Sequence, residues 1–376
     1  MKLKELCKIK HGFAFKGKDI IKNYSTKYVL VTPGNFNIGG GFKEDKCKFF
    51  SENGNIPKNY ILRENDLIVT MTDLSVKSDT LGYSALIPKD NNIYLHNQRI
   101  GLVHDIDESK VLKDYLYWFM RTKKYQQEVV ASQSGTAIHH TSPDRILNIE
   151  IDLPSIDNQR KIVKILSDVE HKIKNNNDTN NNLYEEAVAL YKDKFKGIDQ
   201  GKKTIGDYIV PKRGKNLLTR DAVGGDIPVV AGGIAPSAYH NQFNTKSPVI
   251  TISASGANAG YTNLWNVPVW ASDCSYIDDS ITKNVYFWYI VLKTRQNEIF
   301  DAQTGSAQPH IYPQHIAEMS IGELNIAEVK KYNNLVAPLF KMIGENQKEN
   351  KKLFQLRDTL LPKLMNGEID LNNIEI

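Results

Sequence analysis

The sequence predicts a mixed α+β protein arranged as an internal repeat: two globular α/β domains separated by two long antiparallel helices that form a coiled-coil spacer. Three observations predict it. Residues 134–143 read SGTAIHHTSP and residues 304–313 read TGSAQPHIYP, 170 positions apart and alignable without gaps. Each copy follows a stretch of the same texture, short β-like runs and then an amphipathic helix carrying Trp118 or Trp288, again 170 apart. Each copy also precedes a long heptad pattern with two asparagines in its seam. A period this long is that of a duplicated large module rather than a solenoid.

The elements follow in order. The first domain, residues 1–153, has β-like runs at 28–32, 66–71 and 99–103, a Gly39-Gly40-Gly41 turn, and a helical pattern over 113–130. A spacer helix over 154–199 starts near Asp157, just past Pro154. The second domain, residues 200–323, has β-like runs at 227–230 and 248–253 and a helical pattern over 284–302. A second spacer helix and tail fill 324–376, where Pro338 and Gly344 are candidate kink sites.

The first seam runs Ile162, Leu166, Val169, Ile173, Asn176, Asn180, Leu183, and then Ala187 and Leu190. A shift of 170 gives Tyr332, Val336, Leu339, Ile343, Asn346, Asn350, Leu353, with Arg357 interrupting before Leu360. Apolar residues at this spacing pair helices, and buried asparagines set their register. If the helices pair antiparallel about their midpoints, Asn176 and Asn180 would face Asn346 and Asn350. A 39-residue helix would be about 58 Å long, a ruler between two domains. The bland reading of residues 174–182 (KNNNDTNNN) is a flexible linker, but the apolar phase resumes after it without a slip.

Hydrophobic content of 41% and charged content of 24% are those of a globular protein. No run of 18 apolar residues marks a membrane span. The basic, h-region-free N-terminus is not a secretory signal, and three scattered cysteines (Cys7, Cys47, Cys274) suit a reducing cytoplasm. Charge is uneven: residues 1–50 hold 11 Lys against 4 acids, and Lys202, Lys203, Lys212, Arg213, Lys215 and Arg220 open the second domain against Asp207. Clustered cations at matching places in a repeat point to a polyanion.

Catalytic signatures are missing. No phosphate loop, adenine-methyltransferase tetrapeptide or paired-cysteine metal motif occurs. His139-His140 aligns with Pro309-His310, so any shared role falls on His140 and His310. Ser255 and residues 132–136 offer hydroxyls without a base at a recognisable spacing. The chain therefore reads as a non-enzyme. Two basic domains on a spacer suit duplex DNA, whose half-sites lie a fixed distance apart.

The order of variable domain, SGTAIHHTSPDRILNIEIDLPSIDNQRKIVKILSDVEHKI, variable domain, TGSAQPHIYPQHIAEMSIGELNIAEVKKYNNLVAPLF and a terminal LRDTLLPKLMNGEID resembles the specificity (S) subunits of type I restriction–modification systems. The strongest marks are Pro154, Gln159, Ile162 and Leu166, and the LLPKLMNGEI tail; Leu324 and Val329 depart from the first two in the second copy. The resemblance implies two target recognition domains, each reading half of a bipartite double-stranded DNA site. It implies a spacer that docks two methyltransferase (M) subunits carrying S-adenosylmethionine, joined by restriction (R) subunits, with no cofactor and no catalysis in this chain.

Candidate DNA contacts in the first domain are Lys16, Lys18, Asn35, Asn37, Lys77, Asn97, Gln98 and Arg99, with Ser134, Thr136, His140 and Arg145 in or near the SGTA stretch. In the second they are Lys212, Arg213, Lys215, Asn216, Asn241, Asn258 and Asn263, with Thr304, Ser306, Gln308 and His310. The plain alternative for SGTA and TGSA is a tight turn leading into the spacer, and both readings can hold together. Three rivals to the functional reading stay open: a specificity module of a related methyltransferase system, a coiled-coil protein scaffold, and an enzyme with an unfamiliar site in residues 132–140.

Overall fold

The computed structural model describes residues 1–21, 26–44, 47–75, 77–135, 138–305 and 308–371. The chain divides into two compact units, one of residues 1–171 and 353–376, the other of residues 172–352. Each unit is thus a globular domain together with one end of each long helix.

In the first unit, a four-stranded antiparallel sheet runs in the order Lys8–His11, Ile100–His104, Leu67–Thr70, Ser84–Leu86. A five-stranded mixed sheet is built around Tyr28–Val31 and Ile93–His96, which pair in parallel. The helical pattern over 113–130 is two helices, α1 (Lys113–Phe119) and α2 (Lys123–Ala131). The break follows from Thr122, whose hydroxyl caps α2 by accepting from the Tyr125 N–H at 3.2 Å. A short α3 (Pro143–Leu147) leads towards α4 (Ile156–Lys194).

The second unit repeats the first sheet with Lys212–Arg213, Cys274–Asp278, Val249–Ser253 and Thr262–Trp265 in the same spatial order. Helices α5 (Val285–Thr294) and α6 (Gln296–Asp301) repeat α1 and α2, again broken where the sequence suggested one helix. Then come α7 (Pro313–Ala317) and α8 (Ile326–Met365). Trp118 and Trp288 are both buried.

Helix α4 runs unbroken through the asparagine-rich stretch. At its start Gln159, fully buried, accepts from Leu112 N–H and donates to the carbonyls of Lys110 and Pro154. Val329, its counterpart in α8, is buried among apolar residues instead. Helix α8 begins with Asn325, whose side chain accepts from the Ala327 and Glu328 N–H groups at 3.0 and 3.3 Å. It passes Pro338 and Gly344 without interruption. Gly344 answers to packing rather than to a kink: a Cβ there would stand 2.6 Å from Asn266 Cβ.

Within the first unit Ile162 and Leu166 of α4 pack with Leu361, Leu364 and Leu371, while Val169, Leu353 and Leu360 are half-buried. The buried face of α8 thus moves from Leu360 to Leu361, as a 3.6-residue helix drifts against a 3.5-residue repeat. Within the second unit Ile173, Val336 and Ile343 are buried and Leu183 and Leu339 half-buried. Phe340, which lies outside the heptad seam, is 1% exposed and stacked on Tyr286. The helices run antiparallel here. Asn176 donates to Asn350 Oδ1 and Glu349 Oε2, Asn350 to Asn177 Oδ1, and Asn346 to Asn180 Oδ1, all at 2.8 Å.

Buried amides that satisfy one another tolerate removal together better than singly. Asn176→Leu alone should destabilise this unit by about 1–3 kcal/mol, because Asn350 loses its donor. Adding Asn350→Leu should recover most of that loss in a urea unfolding series. An additive double variant would show that the amides do not act as a pair.

Candidate nucleic-acid interface

The residues of the twin loops owe their geometry to glycine. Ser134 and His140 exchange two backbone hydrogen bonds of 2.9 Å, and Thr304 and His310 do the same at 3.0 and 2.8 Å. Gly135 and Gly305 lie at φ +95° and +92°, where a Cβ would meet the Ile138 carbonyl oxygen at 2.1 Å and that of Gln308 at 2.6 Å. Only glycine closes these turns without strain. Small residues therefore recur here for backbone reasons. Thr136 and Ser306, two of the candidate contacts, lie outside the described residues.

In the first unit, the loop sits on one sheet edge. His139 and His140 pair with Asp73 and Thr72, and His140 Nδ1 lies 3.1 Å from the Thr72 hydroxyl. Thr141 N–H donates to the Met71 carbonyl, and Met71 N–H to that of Arg99. Phe13 and Gln98 tie the segment carrying Lys16 and Lys18 to the same turn through the His96 and Phe13 carbonyls. Ser134, His140, Arg99, Lys16 and Lys18 are exposed around this edge, together with Gln98 and Leu74. A groove of about 350 Å³ is lined by Phe15, Leu74, Lys48 and residues 97–99.

Lys77 is exposed on the neighbouring loop. That loop is organised by Asp73, which accepts from Ser75 N–H, Thr80 N–H and the Thr80 hydroxyl. Burial pushes the Asp73 carboxyl up, but these donors outweigh it and hold it below the ordinary value. Ser78 ties the loop to the base of the turn through Gln133.

Three candidates stand apart. Asn97 is buried, its Oδ1 accepting from the Arg99 N–H at 3.0 Å. Asn35 is fully buried: its Oδ1 accepts from Thr32 N–H and its amide donates to the Lys43 carbonyl, so it shapes a turn and cannot reach a base. Its polarity suggested exposure, and a local hydrogen-bonding role competes with that. Arg145 is exposed on α3, its backbone N–H on Ser142 Oγ.

The second unit rebuilds the edge with different chemistry. Lys212 and Arg213 pair with Tyr276 and Ser275, and Lys215 N–H donates to the Ala271 carbonyl. Ile311 N–H donates to the Ala254 carbonyl and Ala254 N–H to that of Asp273, matching the Thr141–Met71–Arg99 series. Arg213 Nη2 donates to Asp273 Oδ1 at 2.5 Å, and the Ser255 hydroxyl donates to Asp273 Oδ2. Ser255 also forms a bridge to His310, whose ring stacks on Tyr312. Thr304 and Gln308 are exposed beside it.

Asp273 escaped the sequence reading because an acid is a poor candidate for a DNA surface, and only strand register brings it under Arg213. The Ser255 hydroxyl, a candidate nucleophile by sequence, donates a hydrogen bond to the Asp273 carboxylate here. Cys7 and Cys274 are buried, which pushes each thiol up to about 12 and leaves neither as a thiolate at neutral pH. Among the described residues, no group of three His, Cys, Asp or Glu is placed to hold a metal, and no helix is long and apolar enough to cross a membrane.

Residues 1–185 match the family model of the type I restriction modification DNA specificity domain. The chain is 26% identical over 335 residues to the type I restriction enzyme MjaIX specificity subunit of Methanocaldococcus jannaschii, covering 78% of this chain and 76% of that one. Its fold is similar to that of the S subunit of a type I restriction–modification system from M. genitalium, with a TM-score of 0.59 at 19% identity over 99% of this chain and 96% of that one. The repeated sheets, the twin glycine-closed loops and the helix pair thus have the fold of that S subunit, and residues 1–185 belong to the type I restriction modification DNA specificity domain family.

Proposed function

We propose that this chain is the non-catalytic DNA-reading subunit of a type I restriction–modification complex in the cytoplasm, each domain binding one half of a bipartite duplex site. One observation carries the reading. The same glycine-closed loop stands at the same sheet edge in both units, and each edge is surrounded by exposed Lys and Arg. Cations clustered on an edge neutralise phosphates, and polar side chains beside them discriminate bases. The long helices, in this reading, set the gap between half-sites and dock two methyltransferase subunits. S-adenosylmethionine and adenine methylation belong to those subunits, and restriction subunits join the assembly.

Expression of the full chain with its methyltransferase partner, followed by mapping of methylated adenines in host DNA, tests this. A single bipartite motif with a fixed unspecified gap is the expected result. Exchange of residues 200–323 for another such domain should alter one half of it only. Methylation that is absent, or indifferent to this chain, would overturn the proposal in favour of a protein scaffold.

A further inference from the structure

We propose that Arg213 reads a guanine in the half-site of the second domain, and that Asp273, backed by Ser255, is the residue that aims it. The inference rests on the DNA-binding reading above and names the base. Arg213 is held at its root: its strand pairs with Ser275, and Gly214 N–H donates to the Cys274 carbonyl at 2.8 Å. A Cβ on Gly214 would lie 2.4 Å from the Ser272 carbonyl oxygen, so the chain is pressed against the turn that carries Asp273. The guanidinium is held at its tip as well. One amino group is taken by Asp273, whose other oxygen accepts from Ser255. Among the described residues no other group takes its remaining N–H donors, and the side chain is 43% exposed.

A planar fork, fixed at one corner and open at the others, matches the O6 and N7 acceptors of guanine. Immobilising it beforehand lowers the entropic cost of the contact. The carboxylate also argues against a phosphate role for this arginine, because the Arg213–Asp273 pair carries no net charge. Lys212 and Lys215 on either side are exposed and better suited to neutralise the backbone. The first domain lacks this device. By register its equivalents are His11, paired with Gly101, and Arg99, whose carbonyl accepts from Met71 as that of Asp273 accepts from Ala254. The guanine is therefore assigned to one half-site only, and the other serves as an internal control.

The test uses the full chain with its methyltransferase partner, by mapping the methylated motif and by measuring binding to a panel of duplexes. The second half-site should contain a G·C pair at one position. Arg213→Lys, which keeps the charge but not the fork, should relax that position about tenfold or more and leave the first half-site unchanged. Asp273→Asn should relax it less. Replacing that guanine by 7-deazaguanine, which lacks N7, should weaken the wild type and not Arg213→Lys. The duplex panel reports discrimination even where methylation falls too low to map. A second half-site of A·T pairs alone, an unchanged motif in Arg213→Lys, or equal weakening on every sequence would overturn the assignment. A wild type that directs no motif would instead overturn the DNA-binding reading beneath it.

Discussion

Glu170→Ala should destabilise the first unit by about 3–5 kcal/mol, towards the lower end because the Glu170 side chain is 30% exposed. The reason lies in Arg121, whose side chain is 1% exposed. Its guanidinium donates to Glu170 Oε1 at 2.6 Å, to the Tyr117 hydroxyl at 2.5 Å and to the Gly39 carbonyl at 3.0 Å. It also lies over the rings of Tyr117 and Trp118. The Tyr117 hydroxyl donates in turn to Glu170 Oε2, and Arg357 of α8 stands 3.5 Å from the same carboxylate.

Without Glu170 a buried cation keeps only neutral partners. Breaking such a pair costs more than the pair contributes, because the remaining charge stays desolvated. Glu170→Gln keeps the shape and removes the charge, so it should show most of the loss. Hydrogen exchange of the α1 and α2 amides is the measurement, with the second unit as reference. Unchanged protection in both variants would mean that Arg121 finds water or another acceptor.

Phe340→Ala, 170 residues on at the equivalent position, should cost the second unit a similar amount for a different cause. Tyr117, Arg121 and Glu170 correspond to Phe287, Val291 and Phe340, and Arg357 corresponds to Ala187. All four of these second-unit residues are buried in one apolar cluster. Phe340 stacks on Tyr286 with ring centres 5.0 Å apart and meets Tyr289 edge-on at 5.6 Å. Truncating a buried Phe to Ala costs about 3–5 kcal/mol through lost transfer energy and the cavity left behind.

The two variants should differ in salt. Partly exposed ionic contacts are screened, and apolar burial is strengthened by salts excluded from the surface. The stabilisation lost in Glu170→Ala should therefore shrink between low and high sodium chloride, and that lost in Phe340→Ala should not. A loss below about 1 kcal/mol for Phe340→Ala would show that the surrounding rings collapse into the space.

The architecture was legible because it depends on periodicity. A repeat of 170 residues, a heptad seam and two asparagines in phase are linear patterns, and side-chain direction on a helix follows from them. The twin loops were legible for a related reason. A turn at positive φ needs glycine whatever surrounds it. The breaks in the two domain helices were harder to read, since Thr122 looks like any helix residue until its hydroxyl is seen to cap α2.

The candidate interface was only half legible. Lys16, Lys18, Arg99, Lys212 and Arg213 are exposed as their chemistry suggests, whereas Asn35 is fully buried. Composition does not separate an asparagine that faces solvent from one that closes a turn. Asp273 was not legible at all. Its partner Arg213 lies 60 residues away, and the pairing of two strands brings them together.

By itself the sequence determined the repeat, the two long helices, the heptad positions of their asparagines and the glycines of the loops, because each follows from local spacing or local backbone sterics. Tertiary structure alone decided which polar residues are buried, and that one repeat closes its core with a charged network while the other uses an aromatic cluster. It also decided that a carboxylate stands beneath Arg213. Burial and partnership depend on what distant strands bring into contact, and a linear pattern carries no distances between them.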